Sequence, residues 1–112
     1  MSTTFVLTSK TRFDTFEDNV SLGDVVKYDI DCSPWAEDNA NITTATWSVE
    51  YGQASISSET ITSNVVSAVV NYSQAGRMLI SILIETSGGL AKKMWLASYV
   101  KDRQQPSDDY GA

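Results

Sequence analysis

Between Met78 and Val100 the chain keeps one rhythm in two arms. Met78, Ile80, Ile82 and Ile84 take every second position of the first arm, and Met94, Leu96, Ser98 and Val100 do so in the second. A period of two is that of a strand, whose successive side chains point to opposite faces; a helix of this length repeats every 3.6 residues. Thr86-Ser-Gly-Gly89 joins the arms, and its glycines tolerate the positive φ that tight hairpins require. The hairpin therefore presents one apolar face, which a second layer must cover. Trp95, Ala97 and Tyr99 fall on the opposite face, either as a further inner layer or as an exposed aromatic patch that would meet a protein partner.

The same period recurs upstream. Val26, Tyr28 and Ile30 alternate with Val25, Lys27, Asp29 and Asp31, after a turn at Leu22-Gly23-Asp24. Cys32 to Asn41 is rich in Ser, Asn and acids and holds Pro34, so it reads as a loop, with Trp35 as a plug over the edge of the core. Ala45, Trp47 and Val49 then alternate with Thr44, Thr46, Ser48 and Glu50. Tyr51-Gly52-Gln53 breaks that run, which resumes at Ala54 and Ile56 and again near Thr60 and Ile61. A strand over Asn64 to Tyr72 sets Val66, Ala68 and Val70 opposite Val65, Ser67 and Val69, with Ser73 to Gly76 as the next connection. No helical period is sustained; Phe13-Asp-Thr-Phe16 comes closest and is short. Some six to eight short strands with turns every ~8 to 12 residues predict an all-β antiparallel sandwich. Trp47 is the residue expected to fill the ~10 Å between its sheets.

Domain limits follow from where the pattern stops. Residues 1–24 are weakly patterned and read as an N-terminal extension, in which Phe5-Val6-Leu7 adds an edge strand or lies on a neighbour. Residues 25–101 form the sandwich, and residues 102–112, polar and with Pro106, form a flexible tail. On this reading, loss of residues 1–20 leaves the sandwich folded.

Composition excludes several functions. A net charge of −6 with scattered basic residues lacks the Lys/Arg stripe that phosphate recognition needs, so no nucleic-acid partner is expected, and an anionic membrane surface is disfavoured. The first residues lack the basic and apolar regions of a signal peptide, and no apolar run approaches the ~18 residues of a membrane span, so a soluble protein made in the cytoplasm is expected. With a single cysteine, Cys32, there is no intrachain disulfide, and the thiol reads as a small buried hydrophobe. With no histidine, Ser-His-Asp, Cys-His and His–metal schemes are excluded.

Asp29 and Asp31 are the one tempting carboxylate pair. In a calcium loop starting there, Pro34 takes the glycine position and Ala40 the closing glutamate, so the pair reads as a solvated strand face. Asn41-Ile-Thr43 and Asn71-Tyr-Ser73 match the glycosylation triplet, and read as chance matches without a signal peptide. There is no phosphate loop, dinucleotide fingerprint or nucleophile elbow. No residue is assigned a catalytic, cofactor-binding or metal-binding role. An enzyme is not expected, and neither is a small-molecule substrate.

The order of these features resembles a family of small tailed-phage virion proteins, the fiber–tail adaptors. The resemblance lies in "YDIDCSPW" (residues 28–35), "ITTATWSVEYG" (42–52), "QAGRMLISILIETSGG" (74–89) and "MWLASYV" (94–100), and covers about residues 25 to 101. Leu90-Ala-Lys-Lys stands where the family commonly carries Arg and acidic residues. The resemblance implies an Ig-like sandwich acting as a non-enzymatic structural part of a virion. It would link the head–tail connector or tail tube to the tail fibers, with copies of itself in a symmetric ring. The alternative is an Ig-like module that binds carbohydrate or a cell surface, for which Trp35 with Asp38 or Asn39 is the candidate platform.

Overall fold

The computed structural model describes residues 2–7, 15–35 and 41–102. Eight strands follow in order: β1 (Ser2–Val6), β2 (Thr15–Ser21), β3 (Val25–Asp31), β4 (Ile42–Tyr51), β5 (Ala54–Thr62), β6 (Val65–Tyr72), β7 (Gly76–Thr86) and β8 (Ala91–Lys101). They form two four-stranded sheets, β1-β3-β6-β5 and β2-β8-β7-β4, packed as a sandwich. The expected all-β architecture is therefore the observed one. The pairing is not wholly antiparallel, because β1 runs parallel to β3 and β2 parallel to β8.

Alternation places the core. Val26, Tyr28 and Ile30 of β3 and Val66, Ala68, Val70 and Tyr72 of β6 face Met78, Ile80, Ile82 and Ile84 of β7 and Met94, Leu96 and Val100 of β8; all are buried. Trp47 lies among them, 7% exposed, as its place in the pattern predicts.

The two strands that border one side of the sandwich break the rhythm. Between Ile42 and Thr44, and between Val49 and Tyr51, β4 advances two residues while β7 advances one. Each extra residue is a bulge, which flips the faces beyond it. Ile42 and Ala45 therefore both lie on the inner face despite opposite parity, while Tyr51 turns outward after Val49. Strand β5 holds a third irregularity between Ser57 and Thr60, where Ser58 takes φ 54°. It brings Ile56 and Ile61, five residues apart, opposite Val70 and Val66. The β5–β6 turn is two residues long, Ser63 and Asn64, both at positive φ, the signature of a type I′ hairpin. Asn64 thus belongs to the turn and not to the strand expected from residue 64. Its Oδ1 accepts from the Ile42 N–H and its carbonyl from the Cys32 N–H.

A polar chain crosses the core between the sheets. The Tyr28 hydroxyl lies 2.6 Å from Asp18 Oδ2 and 2.6 Å from the Tyr72 hydroxyl, which lies 2.9 Å from Ser98 Oγ. A carboxylate only accepts, so Tyr28 donates to Asp18, Tyr72 to Tyr28, and Ser98 to Tyr72. Burial pushes the proton affinity of both tyrosines up, and the carboxylate beside Tyr28 adds to it, so both hydroxyls stay neutral.

Within residues 1–24, read as an extension, Phe5 and Val6 do lie in an edge strand, β1 beside β3, and β2 adds a second edge strand to the other sheet. Leu7 and Val20 are buried, and Phe5 stacks on Phe16 at 4.7 Å, tying β1 to β2 across the layers. Burying one such aliphatic side chain contributes about 1.5–3 kcal/mol, so removal of residues 1–20 strips both core contacts and two ladders. We infer that the sandwich is destabilised without them. Of the expected C-terminal tail only Asp102 lies within the described residues.

Candidate functional site

The outer face of the β2-β8-β7-β4 sheet is where the side chains left over from the core gather. Cross-strand register builds it row by row. Glu17, Ala97, Leu79 and Tyr51 form one row, and Asn19, Tyr99 and Arg77 the next. Leu79 and Ala97 are half-buried and make the floor of a shallow groove. Tyr51, 64% exposed, and Tyr99, 54% exposed, rise from it. Arg77, Glu17 and Asn19 supply charge and hydrogen-bonding capacity at its margin.

The bulge after Val49 makes this groove. Without it Tyr51 would share the parity of Trp47 and point inward. Gly52, directly after, takes φ +87°, and a Cβ there would stand 2.8 Å from the Arg77 carbonyl and 3.0 Å from the Met78 sulfur. The chain leaves β4 so close to β7 that only glycine fits.

Trp95 lies on the same outer face, half-buried beside Thr15 and Ser81, and the Lys93 ammonium sits 4.8 Å from its ring centre. The structure therefore puts both Trp95 and Tyr99 outside the core, against the reading that made them a second inner layer. Ser81, buried in this face, donates to Glu50 Oε2 at 2.7 Å, and Thr44 donates to Glu85 at 2.8 Å. Of the described basic side chains, Arg77, Lys93 and Lys101 share this face, in a chain of net charge −6.

The other residues singled out in the sequence are occupied locally. Asp29 accepts from Ser67 Oγ and lies 3.8 Å from the Lys27 ammonium, and Asp31 accepts from the Ser33 N–H. Among the described residues no three His, Cys, Asp or Glu side chains converge in the way a metal ion needs. Cys32 is fully buried, donates weakly to the Ile30 carbonyl, and has its thiol pushed up to about 12 by burial and by Asp31. Such a thiol is inert, since the thiolate is the nucleophile. Trp35 is half-buried and packs on the core as the expected plug, while Asp38 and Asn39 lie outside the described residues.

The groove could have been found in the sequence only in part. The parity of β8 separates Tyr99 from Met94 and Leu96, and leaves open whether that face is an inner layer or an exposed patch. Tyr51 is not legible, because its direction depends on a bulge, and Glu17 and Asn19 come from a strand without a readable pattern.

Comparison with known proteins supports both the fold and the family. A PKD domain from the KIAA 1837 protein superposes with a TM-score of 0.55 at 15% identity, over 92% of this chain and 95% of that one. The cysteine protease inhibitor EhICP2 from Entamoeba histolytica superposes with a TM-score of 0.52 at 14% identity, over 89% and 97%. At these identities the likeness is one of fold alone. No curated protein sequence matches the chain. The profile of the Gp77 family, described as podophage GP4 fiber-tail adaptor protein gp77, matches residues 21–96. That span includes the β2–β3 turn and runs into β8, so it takes in most of both sheets, and the chain belongs to the podophage fiber-tail adaptor family.

Proposed function

We propose that this phage structural adaptor acts through protein–protein contacts alone, joining the connector or tail-tube region to the tail fibers, and that the groove over Leu79 and Ala97 is one of its docking faces. Family membership supports the adaptor role. The observation that carries the docking face is the exposure of Tyr51 and Tyr99 on either side of an apolar floor, with Arg77 beside them. Tyrosine and arginine are enriched among the residues that carry interface energy, tyrosine because it buries much area at little entropic cost and arginine because its planar guanidinium offers five donors. A small contact of this kind is weak alone and gains from many copies, so copies arranged in a ring on the particle fit the reading. The isolated chain is then monomeric or weakly associated. It engages no nucleic acid and performs no catalysis, and it is made in the host cytoplasm before assembly.

Cryo-electron microscopy of the particle tests the placement: density for the chain between connector or tail tube and fiber is expected, with the Tyr51–Tyr99 face covered. The double variant Tyr51→Ala/Tyr99→Ala, on an exposed face, is expected to fold and to fail to join particles; normal incorporation would remove the groove from the interface. One observation favours a second reading. Two exposed aromatic rings beside Glu17, Asn19 and Arg77 are also what a sugar site needs. A glycan bound on an array and lost in the same double variant would decide for that alternative, and density at the distal tail tip would agree with it.

A further inference from the structure

Each sheet has two edge strands, and among the described residues three of the four carry features that discourage further pairing. Strand β4 carries two bulges, which confine its regular register to Thr44–Val49, and β5 one, with Ser58 at positive φ. Strand β2 holds Glu17 and the inward-pointing Asp18, two of the devices that protect an edge. Strand β1, the shortest at five residues, has neither bulge nor charge. Its residues Ser2-Thr-Thr-Phe-Val6 include no proline, and Val6 is 51% exposed.

The hydrogen-bonding phase of β1 follows from one contact. Leu7 gives its N–H to the Asp31 carbonyl at 2.9 Å. In a parallel pair alternate residues bond to the same neighbour, so Thr3, Phe5 and Leu7 face β3. The backbone groups of Ser2, Thr4 and Val6 point away from it, and among the described residues no strand pairs with them.

Resting on the adaptor reading above, we infer that the free edge of β1 takes up an extended segment of another virion protein as a ninth strand. The surroundings define its chemistry. On the inner side it runs past the half-buried, stacked Phe5 and Phe16, so every second residue is apolar. On the outer side it runs beside Thr4 and Val6, whose neighbours on β3 are Asp29 and Asp31. Lys27, opposite Ser2, pairs with Asp29 at 3.8 Å, so the face keeps its net negative charge near Asp31 and Val6. A neutral or basic side chain suits that end, and an acidic one is repelled there and by the net charge of −6. Backbone hydrogen bonds give the affinity and the alternate side chains the selectivity, as in other cases of strand addition.

The test uses the full chain and overlapping 12-residue peptides spanning the tail fiber and connector proteins of the same phage. A peptide with this alternation is expected to bind and to slow hydrogen exchange at Ser2, Thr4 and Val6 but not along β2, β4 or β5. Thr4→Pro removes an outward N–H and leaves the β3 ladder intact, a position where an edge strand tolerates proline. It is expected to weaken binding about tenfold or more, the loss of roughly one hydrogen bond with its neighbours disturbed, while the melting temperature is kept. Should the variant unfold, the exchange pattern of the unaltered chain decides alone. Equal binding of the whole fiber and connector proteins to the chain and to Thr4→Pro overturns the strand-addition inference and leaves the adaptor reading standing. So does protection at another edge, or protection of Thr4 that rises with protein concentration without peptide, which would assign the edge to a second copy. If neither whole protein binds the chain at all, the adaptor reading falls with it.

Discussion

The polar chain through the core gives a prediction whose sign depends on proton direction alone. Asp18 accepts from Tyr28, so Tyr28 has used its one proton and is itself the acceptor for Tyr72, which in turn accepts from Ser98. Tyr28→Phe removes a hydrogen bond to a carboxylate, about 1.5–3 kcal/mol, of which the lower end applies because Asp18 is only half-buried and water can reach it. It also leaves the buried Tyr72 hydroxyl without its acceptor, about 1 kcal/mol more, for a total of about 2.5 kcal/mol. Tyr72→Phe spares the Asp18 bond. Its main loss is the acceptor of Ser98, about 1–1.5 kcal/mol, since Tyr28 loses only a lone-pair partner. Urea unfolding of both variants, with the double variant to close the cycle, measures the difference. Tyr28→Phe is expected to cost at least about 1 kcal/mol more than Tyr72→Phe, with a coupling of about 1 kcal/mol in the cycle. Equal costs, or a costlier Tyr72→Phe, would refute the proton order and with it the role given to Asp18.

Three further outcomes are expected. Trp47→Ala costs about 3–5 kcal/mol in urea unfolding, the range for a large core truncation, whereas Trp47→Phe costs less, because the buried indole N–H has no acceptor among the described residues and its removal relieves that penalty. Gly52→Ala costs about 2–4 kcal/mol, the sum of a left-handed φ for a residue with a Cβ and the overpacking against the Arg77 carbonyl; an unchanged unfolding midpoint would mean that the β4–β5 corner is looser than it stands here. Stability falls as pH rises from about 9 towards 12, because the unfolded thiol of Cys32 releases its proton near 9 and the folded one only near 12, so the native state holds a proton that the unfolded state has lost; Cys32→Ala is expected to flatten the decline between pH 9 and 10, before the tyrosines of the unfolded chain ionise.

What the sequence alone determined was whatever is written in local parity. The inner faces of β3, β6, β7 and β8 could be read residue by residue, because each is a central strand whose buried face must be apolar at every second position. The burial of Trp47 and the β7–β8 turn follow from the same rule, which also sets Tyr99 on the face opposite Met94 and Leu96; that this face is the outer one was decided by the structure. The family resemblance rests on those same segments. The tertiary structure decided everything that breaks or escapes parity. The bulges in β4 and β5 belong to edge strands, where a missing ladder bond on the solvent side costs little, so the residues themselves do not announce the phase flip that turns Tyr51 outward. Strand β2 was illegible because its inner face carries Asp18, a residue that reads as solvent-facing until Tyr28, from the opposite sheet, supplies the hydrogen bond that lets it point inward. Strands β1 and β2 join the sheets through parallel ladders to β3 and to β8, the latter some eighty residues away in the chain, and a ladder partner so distant leaves no trace in local spacing. The groove and the β1 edge both lie where these non-local decisions were made, which is why the core was legible and the surfaces proposed to meet partners were not.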